Sequence, residues 1–260
     1  MNTTMLEKKD AFERLLNIMD ELREKCPWDK KQTFESLRSL TIEETYELAD
    51  GILKSDLNEI KKELGDIFLH IVFYARLGNE QKAFDITDVI NSLNEKLIYR
   101  HPHVFGTVEV QDDTEVKKNW EHLKIKEGNR SVLGGVPASL PALIKASRIQ
   151  EKVRAVGFDW DERSQVWEKV KEEIAEVEAE IKNANAEKTE QEFGDLLFSV
   201  VNACRLFEVD PETALERTNQ KFIKRFKYLE QKTLESGRNL KEMSLAEMDA
   251  IWIEAKKKSG

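Results

Sequence analysis

The chain is poor in helix breakers, with 11 glycines and 5 prolines in 260 residues. Together with abundant Glu, Lys and Leu, that scarcity predicts an all-α protein, and strand alternation is nowhere convincing. Cysteine is scarcer still. Cys26 and Cys204 stand apart with no C-x-x-C spacing, which argues against a disulfide framework and predicts buried, reduced thiols. Long apolar runs are also missing. The longest, from Ile67 to Ala75, contains His70 and falls well short of a membrane span, and Met1 to Asp10 has no apolar signal core. A soluble, cytoplasmic chain is expected, with no membrane partner. Positive charge is in deficit. A formal net charge of -9 speaks against a large nucleic-acid surface but leaves room for a local basic pocket.

What is present is charge and repetition. Charged residues make up 35% of the chain and hydrophobic residues 40%. The length suffices for two domains, each with its own core. Glu43, Glu44, Glu47, Glu63 and Asp66 recur 129 residues later as Glu172, Glu173, Glu176, Glu192 and Asp195. Both copies read E-E-x-x-E, fifteen residues, then E-x-G-D. The same offset aligns Gly65 with Gly194 and Arg76-Leu77 with Arg205-Leu206. Once four loop residues are removed, Asn94, Lys96 and Arg100 match Asn219, Lys221 and Arg225. A repeat at fixed offset dictates a duplicated architecture.

The apolar spacing of Phe12, Leu15, Leu16, Met19 and Leu22 predicts an opening amphipathic helix. Thr41 and Glu44 suggest a capping box for the next helix, which carries the first acidic box. A helix from about Leu57 to Leu77 should bury Leu64, Ile67, Phe68, Ile71, Val72 and Ala75. Another is expected from Thr87 to Tyr99, ended by His101-Pro102. In the second half, helices are expected around Trp167 to Ala184 and Gln191 to Phe207. Asp210-Pro211 should start the next, and Ser244 with Glu247 the last. Gly128, Gly134, Gly135, Pro137 and Pro141 mark a linker. The expected domains are therefore 1–126 and 142–260, joined by 127–141, each a helical bundle with short links.

On helices, Glu173 and Glu176 share a face with Glu172 close by, and Glu192 shares one with Asp195. Two neighbouring helices can gather such carboxylates around one point. Crowded anions repel unless a cation compensates, and a hard divalent ion with oxygen ligands points to Mg²⁺. No Cys or His accompanies the acids, so zinc is disfavoured. Gly194, a poor helix former beside these acids, is expected to admit a neighbouring helix closely. Lys221 and Arg225, one turn apart, form a cationic fork for phosphate, and Trp252 with Lys256 offers a stacking ring and a further charge. The combination suggests a Mg²⁺-bound polyphosphate carrying a base.

E-E-x-x-E…E-x-G-D followed by N-x-K-F-x-x-R resembles the MazG nucleoside triphosphate pyrophosphohydrolases. The likeness covers essentially the whole chain, including Cys26-Pro27-Trp28-Asp29, His101 to Gly106 and Gly157-Phe158-Asp159-Trp160. It implies an all-α nucleotide pyrophosphohydrolase fold, Mg²⁺ dependence, a homodimer, and hydrolysis of NTPs to NMP and pyrophosphate. It also implies metal ligands at Glu173, Glu176, Glu192 and Asp195. Nucleotide contacts are implied at Lys169, Glu172, Glu173, Lys188, Gln191, Asp195, Lys221, Arg225 and Trp252. Glu172 belongs to the acidic box without being an implied ligand, which makes it the candidate base for the attacking water.

The first copy keeps Glu44, Glu47, Glu63 and Asp66 as a candidate second site, together with Lys96, Arg100, Trp120 and Lys124. Lys169 becomes Leu40 and Lys188 becomes Glu59, which should weaken attraction for a triphosphate. The second half is thus expected to be catalytic, with broad NTP and dNTP use, and the first structural or regulatory. Two alternatives remain: a dNTP-specific pyrophosphatase, and a non-catalytic helical dimerisation module whose acids are merely solvated.

Overall fold

The computed structural model describes residues 3–112, 115–116, 119–120, 123, 131–160 and 162–258, the side chain of residue 163 excepted. It divides into two compact units, Met1–Gln111 and Asp112–Gly260. No strand occurs among the described residues. The chain is all-α, as its composition predicts.

In the first unit, α1 spans Met5–Lys25 and opens on a capping box between Thr4 and Glu7. A short 3-10 turn, Asp29–Lys31, leads to α2 (Phe34–Lys54), and α3 (Leu57–Glu80) follows after two residues. Ser55, in the left-handed conformation, ends α2, and the Asp56 side chain accepts from the Asn58 and Glu59 amides to start α3. Helices α2 and α3 thus form a tight hairpin. Met19 of α1 joins Leu37, Val72, Phe73 and Leu77 of the hairpin in the unit's buried core, with Phe12, Leu16, Phe34, Leu40 and Tyr74 packed around them. Helix α4 (Ile86–Arg100) and the one-turn α5 (Pro102–Phe105) complete the unit.

Three expectations need correction here. Helix α2 starts at a capping box formed by Thr33 and Ser36, not at Thr41. Thr41 is mid-helix, where its hydroxyl bonds the Leu37 carbonyl at 2.9 Å and the Tyr74 hydroxyl at 2.7 Å. The apolar stripe of α3 is split. Val72 and Ala75 are buried, but Leu64, Phe68 and Ile71 face outward on this chain. Finally, no helix of this chain makes the expected close approach to Gly194: among the described residues, a Cβ there or on its counterpart Gly65 would meet nothing within 4 Å. Close approaches occur elsewhere: a Cβ at Gly51 would lie 3.3 Å from the Ile60 amide, and one at Gly78 would lie 2.6 Å from the Phe84 ring.

The second unit repeats the hairpin. After turns over 131–140 come α6 (Ala142–Ala155), α7 (Arg163–Lys182), α8 (Ala186–Leu206), α9 (Pro211–Glu235) and α10 (Leu245–Lys258). Of the expected linker, residues 127–130 lie outside the described residues. Val166 and Val170 of α7 pack on Ala203 of α8, with Leu196 and Leu206 alongside. Asp210 caps α9 by accepting from the Thr213 amide at 2.7 Å, with Pro211 in the first turn. Ser244 and Glu247 form the expected box for α10. Cys26 and Cys204 are free and half-buried.

Candidate metal and nucleotide site

The α7–α8 hairpin determines which acids meet. Glu173 and Glu176 lie one turn apart on α7, and Glu192 lies on the facing side of α8. Each offers one oxygen, and the three oxygens fall within 4.8 Å of one another. The α2–α3 hairpin does the same with Glu44, Glu47 and Glu63. Asp195, exposed, and Asp66, half-buried, lie outside these triplets. Glu172 is exposed beside Glu173.

Burial sets the electrostatics. Glu173 and Glu63 are buried, at 4% and 0% exposure. Glu176 is exposed, but desolvation where it meets the hairpin, then the charge of the buried Glu173, pushes its carboxyl above its ordinary range. Burial likewise pushes Glu44 up, aided by its contact with Glu63 and the charges of Asp66 and Glu47. In the second unit the compensating cation is Lys169. Its ammonium donates to Glu173 Oε1 at 2.8 Å and to Glu172 Oε1 at 2.9 Å, which raises its own pKa.

The first unit also has a lysine, at a position the sequence reading missed. Lys62 on α3 donates to Glu63 Oε1 at 2.5 Å and lies 3.5 Å from Glu59 and 3.9 Å from Glu47. That contact holds the Glu63 carboxyl below its ordinary range. The repeat offset pairs Lys62 with Gln191. Leu40, which stands where the second copy has Lys169, packs against the core. The first copy has therefore moved its cation from one helix of the hairpin to the other.

Each triplet keeps a carboxylate oxygen that its lysine does not satisfy. Glu173 Oε2 and Glu63 Oε2 are buried with no hydrogen-bond partner among the described residues. A buried, unsatisfied carboxylate oxygen is costly. An all-oxygen donor set of this kind suits Mg²⁺.

The remaining expected residues lie on other elements. Lys188 is exposed in the first turn of α8, its amide donating to Asn185 Oδ1 at 3.2 Å, and Gln191 is exposed next to Glu192. Lys221 is exposed and Arg225 half-buried, one turn apart on α9. Trp252 of α10 packs on Phe222 of α9 with ring centroids 4.9 Å apart. Between α9 and α10 a groove of about 250 Å³ is lined by Lys224, Arg225, Lys227 and Lys258. Of the residues expected to serve the first copy, Lys96 is exposed and Arg100 half-buried in the first unit. Trp120 is half-buried and falls within the second unit, and Lys124 lies outside the described residues.

The MazG nucleotide pyrophosphohydrolase domain matches the chain twice, over residues 32–105 and 162–229, each match enclosing one carboxylate hairpin. The chain belongs to this family. Its similarity to whole MazG proteins is end to end. A Thermotoga maritima protein named nucleoside triphosphate pyrophosphohydrolase/pyrophosphatase MazG is 44% identical over 97% of this chain and 98% of its own length. An Escherichia coli K12 nucleoside triphosphate pyrophosphohydrolase is 40% identical over 95% of this chain and 98% of its own. Bacillus subtilis YabN is 46% identical over 94% of this chain, which matches only 51% of YabN. Among solved structures, a mazG-related protein from Thermotoga maritima is 30% identical, covering 44% of this chain and 98% of its own, with a TM-score of 0.39.

Proposed function

We propose that this chain is a Mg²⁺-dependent nucleoside triphosphate pyrophosphohydrolase that converts NTP and water to NMP and pyrophosphate. The second MazG domain is the catalytic one, and its substrates span NTPs and dNTPs. The observation that carries this reading is the Glu173–Glu176–Glu192 triplet with its buried, unpartnered oxygen. The names of the end-to-end relatives support the same activity.

Bound Mg²⁺ would neutralise phosphate charge and make a bound water more acidic. Glu173, Glu176 and Glu192 would hold it, with Asp195 recruited from the next turn of α8. Glu172 orients or deprotonates the attacking water, since it is beside the triplet yet exposed to substrate. Lys169, shared between Glu172 and Glu173 without nucleotide, turns to the phosphates when nucleotide binds. Lys188 and Gln191 at the start of α8, with Lys221 and Arg225 on α9, contact the phosphate tail, and Trp252 stacks against the base. The active form is a cytoplasmic homodimer. No helix among the described residues is long and apolar enough to cross a membrane.

Incubation with each NTP and Mg²⁺, followed by product identification, tests the reaction. NMP and pyrophosphate in equal amounts are expected. NDP and inorganic phosphate would overturn the assignment.

A further inference from the structure

We propose that Lys62 is a resident cation of the first carboxylate triplet, bridging α2 and α3 in place of a divalent ion, and that this one side chain sets the first MazG domain apart from the second. The inference rests on the reading of the second triplet as a metal site.

The two lysines sit differently. Among the described residues, Lys169 bonds acids of its own helix alone, Glu172 and Glu173, and no lysine pairs with Glu192 of α8. Lys62 spans the hairpin. Its ammonium is 2.5 Å from Glu63 and 3.5 Å from Glu59 on α3, and 3.9 Å from Glu47 on α2. It thus links carboxylates from both walls, as a shared ion would. The substitutions around it agree with that role. Where the second copy has the cation Lys188, the first has Glu59, which gives Lys62 a further anionic partner. Where the first copy has Lys62 the second has Gln191, which carries no ammonium to bridge the hairpin from that position. A divalent ion entering the first triplet must therefore detach Lys62 from a fully buried carboxylate or accept its repulsion. Glu63 Oε2 is buried and unpartnered all the same. The triplet keeps an unused acceptor that removal of the lysine would make available.

Mn²⁺ is the probe, titrated into the full chain and followed by the EPR signal of the free ion. In a Glu173→Gln/Glu176→Gln background, which disables the second triplet, the first should bind Mn²⁺ weakly. Adding Lys62→Gln should tighten that binding by about tenfold or more. Lys62→Met, which keeps an unbranched stem, should do the same, and Lys62→Arg should leave it weak. If neither neutral variant binds Mn²⁺ more tightly, or if Lys62→Arg binds as tightly as they do, the inference is wrong. The drop in Mn²⁺ binding from wild type to the double-Gln background tests the second triplet on its own. Absence of that drop counts against the metal reading, whatever Lys62 does.

Discussion

At the scale of single residues, the two triplets should differ sharply in what their loss does. Glu173→Gln with Glu176→Gln is expected to cut NTP hydrolysis by at least about a hundredfold, since the groups that fix the charge-neutralising ion are gone. Glu44→Gln with Glu47→Gln should leave most of it, and pyrophosphate release measures both. Protons and metal also compete for Glu176. Its raised pKa means that Mg²⁺ affinity begins to fall at a higher pH than for an ordinary carboxylate. The sign for stability is the reverse. A carboxyl whose folded pKa exceeds its unfolded value destabilises the fold when charged, and that penalty is relieved as pH falls through the raised pKa. Glu176→Gln should therefore raise the melting temperature of the metal-free protein at neutral pH and abolish the increase that Mg²⁺ produces in wild type. A lower metal-free melting temperature would show that the acid is not strained as described. These acids were legible because they recur at one spacing. Lys62 was not, because a lysine next to a glutamate is ordinary on any helix surface. It stands out only when Gln191 is set against it and a distance of 2.5 Å to a buried oxygen is known.

At the scale of elements, helix starts could be read where the cap had no competitor. Asp210-Pro211 and Ser244…Glu247 behave as expected because a turn precedes each. Thr41 did not, since the same Thr-x-x-Glu spacing also occurs inside a helix, where a threonine hydroxyl can bond back to the carbonyl four residues earlier. The glycine of E-x-G-D misled in a similar way. Poor helix propensity showed that Gly194 needed a reason, but not that the crowded glycine of this fold would be Gly78. There a methyl group would press to 2.6 Å from the Phe84 ring, which itself packs against Phe34 with centroids 6.4 Å apart. Gly78→Ala should thus destabilise the first unit by about 1–3 kcal/mol from overpacking, partly offset by about 1 kcal/mol of improved helix propensity. A calorimetric transition that moves down by a few degrees is expected. An upward shift would mean that Phe84 swings away at no cost.

At the scale of the whole molecule, the outward faces of the two hairpins follow the same repeat as the acids. Leu64, Phe68 and Ile71 on α3 are exposed, and so are their counterparts Phe193, Leu197 and Val200 on α8. Gly65 and Gly194 lie within these faces, and among the described residues nothing stands within 4 Å of where a Cβ on either would be. The apolar periodicity of α3 was legible in the sequence. Which of its two sides the chain itself would cover was not, because periodicity does not distinguish a core from an interface. Contiguous apolar surface on both hairpins is what a helical homodimer would bury. Leu197→Asp places a charge at the centre of the α8 face, at a residue 62% exposed on the single chain and hence harmless to its own core. Sedimentation should then show a shift from dimer toward the 30.2 kDa monomer with little loss of helix. Gly194→Ala adds a sharper criterion. On an uncovered helix it should stabilise by about 1 kcal/mol through propensity alone. Beneath a closely packed partner helix, the added methyl should instead weaken association. A wild-type protein that is monomeric, or a Gly194→Ala variant that is more stable with unchanged association, would leave these faces without a partner and remove the dimer from the proposal.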